Sequence, residues 1–149
     1  MRKSTLLVIG IIYIASIVIV SMFGLKSVVY DVTIPVLNVE CINKTIGNVF
    51  VDDSKAQKVI KVKFTEAGDI ESLDGTVLQL EHRVLPDDAT NKEVRYEFDR
   101  DRYPQVKMHK VGDRETGAIV FTSPVLFTIT IRSVDMPSVF TSIVISVTR

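Results

Sequence analysis

The chain has 149 residues, with 18 Lys+Arg against 18 Asp+Glu, one Cys and no Trp, which is room for one domain and an appendage. This composition excludes a disordered chain, a collagen, a disulfide scaffold and a multispan transporter. The neutral balance is a sum over two unlike parts: residues 1–26 hold Arg2, Lys3 and Lys26 and no acid, while the rest carries 15 basic and 18 acidic groups, a net charge of about −3 that gives no electrostatic reason to seek phosphate or nucleic acid.

The first element is apolar throughout. Leu6 to Leu25 is 20 residues without a charge, and as a helix at 1.5 Å per residue it spans roughly 30 Å, the thickness of a bilayer hydrocarbon core. A buried core helix seldom lacks a polar face over that length. Arg2, Lys3 and the amino terminus flank one side and only Lys26 the other, so the positive-inside tendency keeps the amino terminus cytoplasmic and exports the remainder. A cleaved signal peptide is the competing reading, but its apolar region is normally shorter and ends at a small-x-small site. Here Met22 and Leu25, two residues before Gly24 and Ser27, are bulky, and no Cys follows to accept a lipid. Residues 1–26 are therefore expected to form a retained signal-anchor that meets membrane lipid through residues 6–25.

Residues 27–54 form a leading strand or hairpin in this reading. Val32, Ile34 and Val36 alternate, then Leu37, Val39 and Cys41 continue on the opposite parity after Pro35, as in a bent or bulged strand. Asn48 to Val51 has the pattern of a short return strand.

Residues 55–149 then show period-two alternation, the signature of strands with one buried face. Lys58 to Phe64 sets Ile60, Val62 and Phe64 against lysines. Thr76 to Val84 reads as one strand with Leu78, Leu80, His82 and Val84 inward, and Glu93 to Phe98 sets Val94, Tyr96 and Phe98 inward. Val125, Phe127, Ile129 and Ile131 form one late face and Val139, Thr141, Ile143, Ile145 and Val147 the last. Gly, Pro, Asp and Asn clusters separate these runs, as at Leu73-Asp-Gly75, Pro86-Asp-Asp88, Tyr103-Pro-Gln105 and Val111-Gly-Asp113. Strand and turn at this spacing imply an all-β fold, an antiparallel sandwich or barrel.

Asp74-Gly-Thr-Val-Leu-Gln-Leu-Glu-His-Arg-Val-Leu-Pro-Asp-Asp-Ala-Thr-Asn-Lys-Glu-Val-Arg-Tyr96 resembles the bacterial immunoglobulin-like group 2 (BIG2) family. The likeness joins a glycine turn, an L-x-L strand, the turn Pro-Asp-Asp-Ala-Thr-Asn-Lys and a strand bearing an aromatic. Val106-Lys-Met108 is similar to the family's next short strand, Gly117 to its following turn glycine and Thr128 to Asp135 to its penultimate strand, so the resemblance covers about Lys55 to Val147. Tyr96 stands where the family normally has Trp, Glu97-Phe98 replaces the usual polar pair, and Ser123-Pro-Val125 replaces a second glycine. The resemblance implies an immunoglobulin-like β-sandwich behind one transmembrane helix, a spacer or binding platform of the bacterial cell surface and envelope.

Little in the sequence suggests catalysis. Cys41 is the lone thiol, so no internal disulfide forms, and its alternation suggests a small buried apolar residue. His82 and His109 share no metal-binding motif, no nucleophile elbow or glycine-rich phosphate loop occurs, and no cofactor is expected. Asp99 and Asp101 have the look of calcium ligands, but Arg100 and Arg102 neutralise them and the remaining oxygens are missing. Asn43-Lys-Thr45 matches a glycosylation acceptor.

These readings converge on a non-enzymatic, single-pass membrane protein with an extracytoplasmic domain that binds or positions a protein or an envelope polymer. Contacts are expected on the loops at the domain's ends: Asp87, Asp88, Asn91 and Lys92 in one, and Asp99, Arg100, Asp101, Arg102 and an exposed Tyr103 in the other. The alternatives are an oligomer or larger membrane assembly joined through an edge strand, Val28 to Val39 or Val139 to Thr148, and a secreted adhesin module freed by cleavage.

Overall fold

The structure, a computed structural model, describes residues 3–24 and 32–149, with the side chains of residues 4–19 and 32–149. It divides into two compact units, residues 1–32 and 33–149.

Among its described residues the first unit holds one helix, α1 (Lys3–Gly24, 22 residues). From Leu6 to Ile19 its side chains are apolar on every side save Ser16, and Leu6, Ile11, Tyr13 and Ile14 are all more than half exposed. A helix that is hydrophobic all round finds its stable surroundings in a core or a bilayer. The Ser16 hydroxyl donates to the Ile12 carbonyl at 2.9 Å, so this polar group needs no partner outside the helix. Among the described residues no helix is long and apolar enough to cross a membrane: residues 4–19 rise about 24 Å against a hydrocarbon core of about 30 Å. The helix backbone as a whole is 22 residues, about 33 Å by the same rise.

The second unit is all β. Its strands are β1 (Asn38–Cys41), β2 (Val49–Asp52), β3 (Val59–Lys63), β4 (Val77–Gln79), β5 (His82–Leu85), β6 (Val94–Glu97), β7 (Val106–Val111), β8 (Arg114–Phe121), β9 (Val125–Ser133) and β10 (Phe140–Thr148). They form a five-stranded sheet ordered β2-β3-β10-β9-β6, a three-stranded sheet β4-β8-β7 and the pair β1-β5. Neighbours are antiparallel except β3 and β10, which run parallel with Ile60 opposite Ile145.

The alternating residues meet in one core. Ile60, Val62, Phe127, Ile129, Ile131, Ile143 and Ile145 from the five-stranded sheet are buried with Leu78, Met108, Ile119 and Phe121 from the three-stranded sheet. The rings of Phe121 and Phe127 touch across the two, 6.3 Å between centroids. Each such side chain contributes about 1.5–3 kcal/mol on removal from water. With no Trp or disulfide, the core is closed by aliphatic, Met, Phe and Tyr packing with the buried thiol of Cys41.

β8 departs from alternation: residues 117–121 are all buried. The loop between β3 and β4 covers its outer face, with Gly68 N–H bonded to the Phe121 carbonyl at 2.8 Å and Gly68 so close to Val120 that a Cβ there would sit 2.4 Å from the Val120 side chain.

Four expectations are corrected. Thr76 to Val84 is two strands in different sheets, because Asn43 inserts its amide between them: Asn43 Nδ2 donates to the Gln79 carbonyl at 2.7 Å and Oδ1 accepts from Glu81 N–H at 2.8 Å. These peptide groups are thereby satisfied without a strand partner. Of the leading strand or hairpin expected over residues 27–54, the hairpin does not form, since β1 pairs with β5 and β2 with β3; residues 27–31 of that expectation lie outside the described residues. Val139 to Thr148 is not an edge, because β10 lies between β3 and β9. Gly117 lies inside β8 and not in a turn, at φ 78°.

Candidate functional site

An open cleft of about 1010 Å³ lies between β6 and the start of β8. It exists because β6 is the last strand of its sheet and pairs with β9 alone, while β4 reaches only the far half of β8, Ala118 to Val120. The floor is His82 and Tyr96, the walls are Glu93, Val94, Glu97 and Asp113 to Thr116, and Asn91, Lys92, Arg95 and Arg100 stand at the rim.

Tyr96 is buried, and its hydroxyl lies 3.1 Å from His82 Nδ1, the two rings meeting edge to face at 6.0 Å. Burial, with Glu115 and Cys41 adding to it, pushes the phenol up to about 12. It is therefore protonated at neutral pH, and the imidazole tautomer decides which of the two groups donates. Burial also holds His82 below its ordinary value of 6.5, which keeps the ring neutral at neutral pH.

Glu115 joins the two walls. Its carboxylate accepts from Tyr96 N–H at 3.3 Å, pairs with Arg100 and lies 3.6 Å from Lys110 Nζ. Tyr96 N–H points off the free edge of β6, so Glu115 stands where a neighbouring strand's carbonyl would be. The opposite edge of the same sheet is closed in the same manner: Thr45 Oγ1 accepts from Val51 N–H at 2.9 Å. Arg114 pairs weakly with Glu93 at 4.0 Å. Among the described residues Lys92 and Arg95 have no ion pair, so the rim offers free positive charge and hydrogen-bond donors to solvent.

Of the residues expected to make contacts, the cleft brings together Asn91, Lys92 and Arg100. Asn91 accepts from Glu93 N–H at 3.0 Å, a turn of its own backbone. Asp87 is held by Arg83 in a two-point pair at 3.0 and 2.5 Å, which keeps its carboxyl below the usual range. Asp88 is exposed beside it. Asp99 accepts from Arg102 N–H at 3.1 Å and closes the turn; Asp101 is exposed, and Arg102 lies over the Tyr103 ring at 5.6 Å. Tyr103 is half-buried and not an exposed anchor, because it packs on Phe127 with centroids 5.6 Å apart.

His82, Tyr96 and Glu115 were not legible as a group. The first two lie on inward parities that read as core, and Glu115 becomes a wall residue only because the β7–β8 hairpin carries it back to Arg100. Asn43, read as a glycosylation acceptor, is buried with its amide committed to Gln79, Glu81 and the Cys41 thiol, which donates to Oδ1 at 3.3 Å. Burial pushes that thiol up, against a nucleophilic role. Among the described residues no three His, Cys, Asp or Glu side chains gather as metal ligands. Comparison with family models, with curated proteins and with solved structures finds no match.

Proposed function

We propose that this protein is a non-enzymatic membrane-anchored module: α1 holds it in the bilayer with the amino terminus cytoplasmic, and an extracytoplasmic immunoglobulin-like domain binds or positions a protein partner. The single observation that carries the binding role is the open cleft at the free edge of β6, with Lys92 and Arg95 unpaired at its rim.

The immunoglobulin-like reading is supported by strand order. Taking β4, β8 and β7 as one sheet and β6, β9 and β10 as the other, with β3 parallel to β10, matches the two-sheet connectivity of that sandwich, and the group 2 likeness from Gly75 to Tyr96 runs along β4, β5 and β6. The anchor reading is supported by 22 residues of helix that are apolar on every described side, with Ser16 satisfied internally. Side-chain closure of both edges of the five-stranded sheet weighs against assembly by strand addition.

Photo-crosslinking from position 95 in native membranes tests the binding role. A discrete crosslinked partner, lost in Lys92→Glu and Arg100→Glu, is the expected result; a partnerless monomer overturns it. Intact mass of the mature protein tests the anchor, and a mass lacking residues 1–24 would select the secreted module instead.

A further inference from the structure

The outer face of the five-stranded sheet carries the second inference. Its cross-strand rows follow from register. Phe50 lies opposite Lys61, Lys61 opposite Ser146 and Ser146 opposite Leu126; one row away stand Val59, Val144 and Thr128. On the other side of the Phe50 row lie Lys63 and Thr148. Phe50 is 54% and Leu126 64% exposed. The three-stranded sheet is different, because the β3–β4 loop buries its outer Val120; nothing in residues 33–149 covers Phe50 or Leu126.

The charge of this face runs against that of the domain. Phe50 and Leu126 share these rows with Lys61 and Lys63, for which no ion pair occurs among the described residues. The one acid in these rows is Asp52, whose carboxylate accepts from Ser54 N–H and Oγ at 3.1 and 2.5 Å and also feels the charges of Lys55 and Lys61 without an ion pair to either. Residues 27–149 as a whole carry more acid than base. An uncharged Val/Thr/Ser field with two protruding apolar side chains and two free lysines fits a surface that presents anions over hydrocarbon, in which apolar groups insert at the headgroup boundary and lysines meet the phosphates.

We propose that this sheet face docks on an anionic bilayer surface, with Phe50 and Leu126 entering the headgroup layer and Lys61 and Lys63 pairing with lipid phosphate. The proposal rests on the reading of α1 as a membrane anchor: only eight residues of chain separate Gly24 from Thr33, nine Cα–Cα steps that span at most about 32 Å, which keeps the effective lipid concentration high. The weak affinity of two lysines and two apolar side chains is then enough.

Absence of Trp from the chain makes the test direct. The full chain carrying Phe50→Trp is reconstituted into phosphatidylglycerol or phosphatidylcholine vesicles, some with brominated acyl chains. Vesicle flotation verifies anchoring, and Leu126→Trp is a second reporter on the same face. Val111→Trp, on the β7–β8 hairpin, is the control. Blue-shifted and bromine-quenched emission from both face reporters in phosphatidylglycerol, much less in phosphatidylcholine, and absent from the control, is the expected result. Adding Lys61→Glu and Lys63→Glu should lower the docked-to-free ratio on the order of tenfold or more. Emission from the face reporters no different from the control in floated vesicles overturns the docking alone, as does equal quenching in both lipids. A chain that fails to float with either lipid overturns anchor and docking together.

Discussion

A Cβ placed on Gly117 would lie 2.7 Å from the Tyr96 hydroxyl and 3.0 Å from the Leu80 carbonyl. Gly117 also has φ 78°, where L side chains are strained. The glycine thus lets β8 pass under the phenol that floors the cleft. Gly117→Ala should destabilise the domain by about 2–3 kcal/mol in chemical denaturation. Tyr96→Phe in the same chain should recover part of that loss, since it removes the atom in closest conflict. Simple additivity in the double-mutant cycle would contradict the contact.

Asn43 fastens the break between β4 and β5. Asn43→Ala removes bonds to the Gln79 carbonyl, Glu81 N–H and the Cys41 thiol, leaving buried peptide groups unpaired at about 1–3 kcal/mol each. We expect a loss of about 2–4 kcal/mol, with amide exchange accelerated at Glu81. Folded protein offered to a glycosylating system should gain no mass at Asn43; addition there would mean that this clasp opens readily.

Half-buried His82 and buried Tyr96 set limits to stability on opposite sides of neutral pH. His82 has a folded value below 6.5, so the unfolded chain takes up the proton first and stability falls as pH drops through about 6.5 toward the folded value. Tyr96 is raised from 10.0 to about 12; the unfolded chain ionises first, and stability falls between those values. His82→Gln should flatten the limb just below neutrality. The deeper acid loss should persist, because Asp52, Asp69 and Asp87 are all lowered from 3.8.

Glu115 and Arg100 should not be equivalent although they pair. Arg100 is half exposed, and its removal costs about 0–1 kcal/mol. Glu115, with only 14% of its side chain exposed, also holds Tyr96 N–H and faces Lys110. Glu115→Ala should therefore cost more than Arg100→Ala by about 1–2 kcal/mol and raise amide exchange at Tyr96. Equal costs would mean that the carboxylate does not close the β6 edge.

Cys41 is buried with its thiol pushed up and donating to Asn43. Iodoacetamide should leave native protein unmodified over a period in which urea-unfolded protein reacts to completion. Rapid native labelling would contradict the burial. Cys41→Ser should cost about 1–2 kcal/mol, with only the thiol's packing replaced.

Alternation is a local property, and local properties were readable. Ile60 and Val62, Leu78 and Leu80, Phe127 to Ile131 and Ile143 to Val147 are buried on the faces their parity indicates, because side chains along a strand alternate whatever the strand pairs with. The presence of an apolar helix at the amino-terminal run was readable from local sequence as well, as was the Asn/Asp turn chemistry between β5 and β6. What failed in the sequence were boundaries set by distant residues. The break at Leu80 depends on Asn43, the five buried residues of β8 on the loop through Gly68, and the half-burial of Tyr103 on Phe127.

Composition and periodicity alone therefore determined an apolar helix, a β domain with one buried face per strand, and the excess of acid over base in that domain. Tertiary structure decided which strands are edges, that His82, Tyr96, Glu115 and Arg100 surround one cleft, and that Phe50, Lys61 and Leu126 share an uncovered face. The reason is physical: residue identity selects local conformation and burial, whereas sheet neighbours are chosen by packing of the whole core. A net charge summed along the chain cannot reveal two unpaired lysines that only strand register sets beside Phe50.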